Sequence, residues 1–384
     1  MDMKDGYKIW DTDTHCRPSA ETLEPYFDAH WQARLPELEK YKQVNKRDIE
    51  GLVVGNHGYK FGERLPLPRF LGKAEAEPGL HRPETKFMGT RHATTGAMDN
   101  DPDVRIQDMD EEGVDVQLII GGMPNTYHID QQDLQIGLMQ AYNRYLNDFC
   151  GKHPHRLKAL MPVIPNAPEE CVAEIKRWGS SSWAVGVYVQ MRNDTPMDHP
   201  DMEPVWKAVD ELGLVVVHHS NYVSPPYFPG CHDLWDNAFL GRSAGHPWGA
   251  MRAIGSFIGC GAMDRYQSLR FGILESGFGW LPFWSRRLDD QVEYVGGVPK
   301  LDLKISEHMM GGRFCSSIEM SEGQDMVEMV AGFMGDGVLM YASDYPHMEC
   351  RFPNSVDYFM NWTLPDELRR KMLWDNPVRF YGEP

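Results

Sequence analysis

The strongest constraint on the fold is an alternation of short apolar runs and helical patterns that starts near residue 103 and continues to the end of the chain. Apolar runs at 114–120, 157–163, 184–189, 214–219, 269–274 and 338–342 are separated by helical spacing at 133–152, 168–178, 202–212, 248–263, 281–295 and 326–334, with a closing helix at 365–374. A further helix is expected at 104–112. A first strand ending at Trp10 and a short one at Arg313-Phe314-Cys315, in an otherwise patternless stretch 305–315, bring the strands to eight. The run Leu214-Val215-Val216-Val217-His218-His219 is nearly continuous in apolar residues, as strands buried on both faces of a parallel sheet are. Strands alternating with helices in this way predict an α/β fold, a (β/α)8 TIM barrel built as one domain over residues 1–384. Two stretches interrupt the pattern. A large insertion, 18–102, follows the first strand, and a smaller aromatic and Pro/Gly-rich one, 221–245, follows the fifth. A structureless loop as long as the first is unusual inside a compact domain, so it is expected to fold over the barrel mouth or reach a second subunit.

In such barrels the chemistry sits at the C-terminal ends of the strands. Three of those ends carry candidate metal ligands: Asp11-Thr12-Asp13-Thr14-His15, His218-His219, and Ser343-Asp344-Tyr345-Pro346-His347. Side chains at i and i+2 of a strand share a face, so Asp11, Asp13 and His15 are expected to project together. Oxygen and nitrogen donors gathered at one spot suit a borderline or hard dication. The competing reading of the first motif alone is an Asp/Thr-rich turn that caps a helix.

Composition narrows the partners. A formal net charge of -18 is unsuited to a nucleic-acid surface. No apolar stretch is long enough for a transmembrane helix, and the first residues lack the apolar core of a signal peptide. Seven scattered cysteines with no C-x-x-C pair fit reduced thiols and a cytoplasmic location. Aromatic residues make up 11% of the chain, many in loop-like stretches, and point either to a flat or unsaturated ligand or to subunit interfaces in a homodimer or homotetramer.

In this order and at these strand ends, five segments resemble the amidohydrolase superfamily: 11–15, 214–219, 270–282 with Leu274-Glu275-Ser276-Gly277, 342–347 and 375–381 with Asp375-Asn376-Pro377. The likeness is to the amidohydrolase-2 branch, which includes aminocarboxymuconate-semialdehyde decarboxylase and the γ-resorcylate and 5-carboxyvanillate decarboxylases, and it covers nearly the whole chain. The resemblance implies one divalent ion, Zn first and Mn as the rival, held by Asp13, His15, His219 and Asp344, with His218 the alternative on the fifth strand. Asp13 stands where the family carries His or Glu. The named decarboxylases have a histidine at the sixth-strand tip, and this chain has Glu275 there.

The function expected from this set is metal-dependent, non-oxidative decarboxylation of an aromatic or unsaturated carboxylate. Asp344, Glu275 and His246 are the catalytic candidates; His246 is expected at the start of the helix after the fifth-strand loop. Arg192, Arg252, Trp248 and Tyr222 are the candidate substrate contacts, an arginine offering a bidentate fork to a carboxylate. Arg17 and Arg242 are weaker versions of the same idea, and His347 is placed to orient a ligand. Hydrolysis of a C–N, C–O or C–C bond by metal-activated water is the alternative reaction, and a non-catalytic binding barrel is the third reading.

Overall fold

The computed structural model describes residues 4–46, 50–61, 86–124, 129–189, 195–219 and 238–384, with the side chains of 238–242 left aside. Eight parallel strands hydrogen-bond in sequential order. They are β1 (Trp10–His15), β2 (Val116–Ile120), β3 (Leu157–Val163), β4 (Ala184–Val189), β5 (Val215–His219), β6 (Arg270–Leu274), β7 (Phe314–Ser317) and β8 (Leu339–Met340). The main helices between and after them are α1 (Pro102–Glu112), α2 (Gln132–Gly151), α3 (Pro168–Trp178), α4 (Glu203–Glu211), α5 (Ala238–Gly259), α6 (Leu281–Tyr294), α7 (Gln324–Met334) and α8 (Ser355–Met360). This is the (β/α)8 barrel that the alternation implies. The sheet closes at a seam where β1 meets the end of β8: Thr12 N–H donates to the Tyr341 carbonyl, His15 N–H to that of Tyr345, and Asp344 N–H to that of Asp13.

Strand alternation sorts the side chains into two cores. Trp10, Val116, Leu118, Ile120, Leu160, Val215, Val217, Leu274, Cys315 and Met340 fill the barrel, while Ile119, Val216, Ile273, Phe271 and Leu339 pack outward against the helices. The rule decides the fifth strand. Val215 and Val217 face inward, so His219 also points into the barrel mouth, and His218 points out.

The structure corrects several sequence expectations. β1 does not end at Trp10 but runs through His15, and an extra residue between Asp11 and Thr14 breaks its register with β2. Asp11, next to the inward Trp10 and paired with Gln117, faces out, and the bulge after it turns His15, paired with the inward Ile120, to the inner face. The three acid and imidazole groups therefore do not share one face. Helix α5 begins at Ala238, ahead of the expected 248, and His246 and Pro247 lie inside it. Residues 305–310 form a short helix, and the closing helix, Asp366–Arg370, passes through a π turn at 371–375 and continues as Asn376–Tyr381. The 18–102 stretch contains short helical turns and a hairpin of 42–44 with 57–59. Among the described residues no helix is long and apolar enough to cross a membrane.

Glu112, the last residue of α1, is fully buried, and one carboxylate oxygen accepts the Ser355 N–H at 2.8 Å. Burial, reinforced by Asp108, pushes its carboxyl from near 4.5 up to about 7. Because the folded state holds this proton more tightly than the unfolded chain, the contribution is fully present below pH 4.5 and is lost as pH rises to about 7. Glu112→Gln, which keeps the acceptor for Ser355, should therefore gain stability relative to the parent across that window, by on the order of 3 kcal/mol. Urea midpoints measured against pH check this, and parallel profiles for the two proteins would refute it.

Candidate metal centre

The site is assembled from the tips of β1, β5, β6 and β8. His15 is fixed from behind: its Nδ1 lies 2.9 Å from the Ile120 carbonyl, which leaves Nε2 facing the barrel mouth, 3.0 Å from Asp344 Oδ1 and 3.4 Å from Asp13 Oδ1. The backbone beneath it is clamped by Arg105 from α1. This fully buried guanidinium donates to Gln117 Oε1 at 2.8 Å, to Thr14 Oγ1 at 2.7 Å and to the His15 carbonyl. A cation shared among three acceptors on β1 and β2 holds the bulged strand in one place. Asp11, on the outer face, accepts from the Ser343 N–H at 2.9 Å and from its hydroxyl, and so ties β1 to the end of β8.

His219 Nε2 sits 3.0 Å from Glu275 Oε2 and 3.6 Å from Asp13 Oδ1. The other Glu275 oxygen is 3.5 Å from His246 Nδ1. Asp344 Oδ1 accepts from His347 at 2.7 Å, and the His347 ring stacks on His15 with centroids 4.1 Å apart. Both Glu275 and Asp344 have positive φ, 45° and 60°, conformations that non-glycine residues adopt at a cost of about 1–3 kcal/mol and that cluster at functional sites. In each case the turn swings a carboxylate off the strand path toward the same centre.

The electrostatics are those of crowded carboxylates. Burial opposes charge on His219, but Asp13 and Glu275 outweigh it and hold the imidazole well above its usual range. Burial likewise opposes charge on His347, yet Asp344, Glu275 and Glu50 raise it to about 10. Burial and the neighbouring His347 push His15 down to about 3. Burial raises Asp344, and it would raise Glu275, were the nearby His219 and His246 not holding that carboxyl below the ordinary range. Three buried atoms in this cluster have no partner in hydrogen-bond geometry, Asp13 Oδ1, His219 Nε2 and Asp344 Oδ2, and the His219 nitrogen meets Glu275 and Asp13 only as ion pairs. Orphaned donors of this kind, inside a ring of acids, are what a divalent cation satisfies. The sets His15, Glu275, Asp344, His347 and Asp13, His15, His219 each place one donor atom per residue within 4.8 Å of the others. The residues fit a metal ion.

The amidohydrolase family model matches residues 13–382, nearly the entire chain. The chain belongs to the amidohydrolase family. Its curated relatives include a gamma-resorcylate decarboxylase from Polaromonas sp., 22% identical over 298 residues that cover 73% of this amidohydrolase and 86% of the relative. A 2-amino-3-carboxymuconate-6-semialdehyde decarboxylase from Dictyostelium discoideum is 23% identical, with 64% of this chain and 67% of that protein covered. Among solved structures, the 5-carboxyvanillate decarboxylase of Novosphingobium aromaticivorans, complexed with manganese and 4-hydroxy-3-methoxy-5-nitrobenzoic acid, superposes with a TM-score of 0.69 at 19% identity, over 98% of this chain and 97% of that one. That likeness establishes the shared fold.

Of the residues singled out from the sequence, the amidohydrolase brings Asp13, His15, His219, Glu275, His246, Asp344 and His347 together. Trp248 is 40% exposed and Arg252 partly buried, both on α5. Arg17 pairs with Glu50 at 2.8 Å. Arg192 and Tyr222 lie outside the described residues, as does the Arg242 side chain. Sequence reading missed Glu319, two residues past β7. Burial, then Glu275, Asp344 and Asp13, drive its carboxyl well above the ordinary range. The signal for it was an acid following the polar strand end Ser316-Ser317.

Proposed function

We propose that this amidohydrolase is a metal-dependent, non-oxidative carboxy-lyase acting on an aromatic or otherwise unsaturated carboxylate. The observation that carries the reading is the convergence of three orphaned donors, Asp13 Oδ1, His219 Nε2 and Asp344 Oδ2, beside His15. Relatives named for decarboxylating such acids supply the substrate class. Asp13, His15, His219 and Asp344 are assigned as ligands of one divalent ion. Two carboxylates with two imidazoles form a hard donor set, and the bound manganese of the Novosphingobium structure supports Mn over the Zn favoured from sequence. A bound dication supplies positive charge against which a substrate carboxylate and an adjacent oxygen can dock.

Asp344, held by His347 at 2.7 Å, delivers a proton to the ring carbon that bears the carboxylate. Cleavage of the carbon–carbon bond then returns its electron pair to the ring as carbon dioxide leaves. His347, hydrogen-bonded to Asp344, orients it. Glu275, between His219 and His246, is the shuttle that exchanges the site's protons with solvent. Arg252 and Trp248, with Arg192 and Tyr222, are assigned to substrate contact. The 18–102 segment is assigned as a cap: its residues 88–91 hydrogen-bond to the loop at 348–352, and its Glu50 acts on His347. Six cysteines among the described residues are free thiols, which supports a cytoplasmic location. The exposed apolar residues Phe283, Tyr294 and Val295 support a homodimer or homotetramer.

One observation favours a hydrolytic alternative: the Glu275–His246 pair replaces the single histidine expected at the β6 tip. Turnover in ¹⁸O-labelled deuterated water separates the two. Decarboxylation releases carbon dioxide equal to substrate consumed and leaves solvent deuterium on the vacated carbon. Labelled oxygen in the organic product would establish hydrolysis and overturn the proposal. A protein that binds no divalent ion stoichiometrically would overturn both.

A further inference from the structure

The turn that carries Glu275 is gripped from the neighbouring strand by a residue with no assigned role. Glu322, in the turn after β7, accepts the Phe278 N–H on Oε1 at 3.1 Å and the Gly279 N–H on Oε2 at 2.8 Å. Its own N–H donates to the Glu319 carbonyl at 3.0 Å, which anchors it to the β7 turn. The fit leaves no slack. A β-carbon at Gly277 would run into Glu322 Oε1, and one at Gly279 would lie 3.0 Å from Oε2 and 2.5 Å from Met326 Sδ. Upstream, the Glu275 N–H donates to Ser317 Oγ at 3.2 Å. Two side chains of the β7 edge therefore hold the backbone on both sides of a residue whose own φ is 45°.

We infer that Glu322 is a positioning residue that fixes the left-handed turn at Glu275 and so aims that carboxylate between His219 and His246. The inference rests on the reading of Glu275 as part of the site's machinery. A carboxylate suits this task better than an amide. Both oxygens accept from backbone N–H groups, and an amide would turn an NH₂ toward one of them. With the clamp weakened, Glu275 is free to leave its strained conformation, and the geometry at His219 Nε2 relaxes.

The test is a double-mutant cycle with Glu322→Gln and Glu275→Gln, read by Mn²⁺ titration of the metal-stripped protein and by kcat. In the parent background Glu322→Gln should shift the Mn²⁺ Kd and lower kcat by about 10–100-fold, as loss of an outer support does. In the Glu275→Gln background the same substitution should change neither by more than about 2-fold. Equal effects in both backgrounds, or none in either, would overturn the inference. Thermal melting checks the fold. If Glu322→Gln is unfolded, Glu322→Asp, which keeps the charge but is one methylene too short to reach both N–H groups, takes its place in the cycle. Because the Kd arm needs no substrate, a protein that decarboxylates nothing would sink the proposed reaction and leave the positioning role to be decided by metal binding.

Discussion

Alanine at Asp13 or at His219 is expected to strip the divalent ion and abolish activity while the barrel stays folded. Each supplies a buried donor atom with no partner in hydrogen-bond geometry. Loss of an outer support costs about 10–100-fold in metal affinity, so loss of a ligand should exceed that. The packed layers beneath, among them Val215, Val217 and Leu274, are untouched. Removing Asp13 also relieves repulsion among Asp13, Glu275, Asp344 and Glu319, which offsets part of the lost contact energy. Metal content by elemental analysis, set beside a thermal melt, checks both halves. His218→Ala is the matched control. That side chain points outward and should retain metal while losing some stability to the cavity left behind. The opposite pattern, metal kept by His219→Ala and lost by His218→Ala, would show that the inward face of β5 has been misassigned.

Glu275→Gln, loaded with excess Mn²⁺, should lower kcat by about 10²–10⁴-fold, the range that a positioned acid–base group supplies. The amide keeps the size and one acceptor, so a structural ion pair with His219 and His246 would tolerate it with modest loss. A shuttle cannot, because the amide carries no exchangeable charge. Single-turnover rates on metal-loaded protein separate chemistry from release. A near-parental rate would leave the proton transfer to Asp344 alone or to His246.

The barrel was legible because its strands are buried on both faces and therefore read as apolar runs with ligands at their ends. His219, Glu275 and Asp344 were found from that pattern, and the structure pairs His219 with Asp13 and Glu275, and Asp344 with His15 and His347. The bulge in β1 was not legible, since one extra residue leaves no mark on composition, and it is what turns His15 inward while Asp11 stays on the outer face with Ser343. The start of α5 was misplaced because Gly241, Gly245 and Pro247 resemble a loop, yet the helix runs through them. Glu319 and Glu322 escaped notice because the β7 run is only four residues long and partly polar, so the acids after it had no frame. Strand register across the sheet, which no single segment contains, gives them one.

The seam between β1 and β8 has a consequence for how the protein is made. Asp13 and His15 leave the ribosome more than three hundred residues ahead of Asp344. Until then the first strand has an unpaired edge on the side where Tyr341 and Tyr345 will bond. Sealing that edge and bringing Asp344 to His15 are one event. A chain cut short before β8 therefore holds three of the four proposed ligands, and tight metal capture would report that the barrel has been closed.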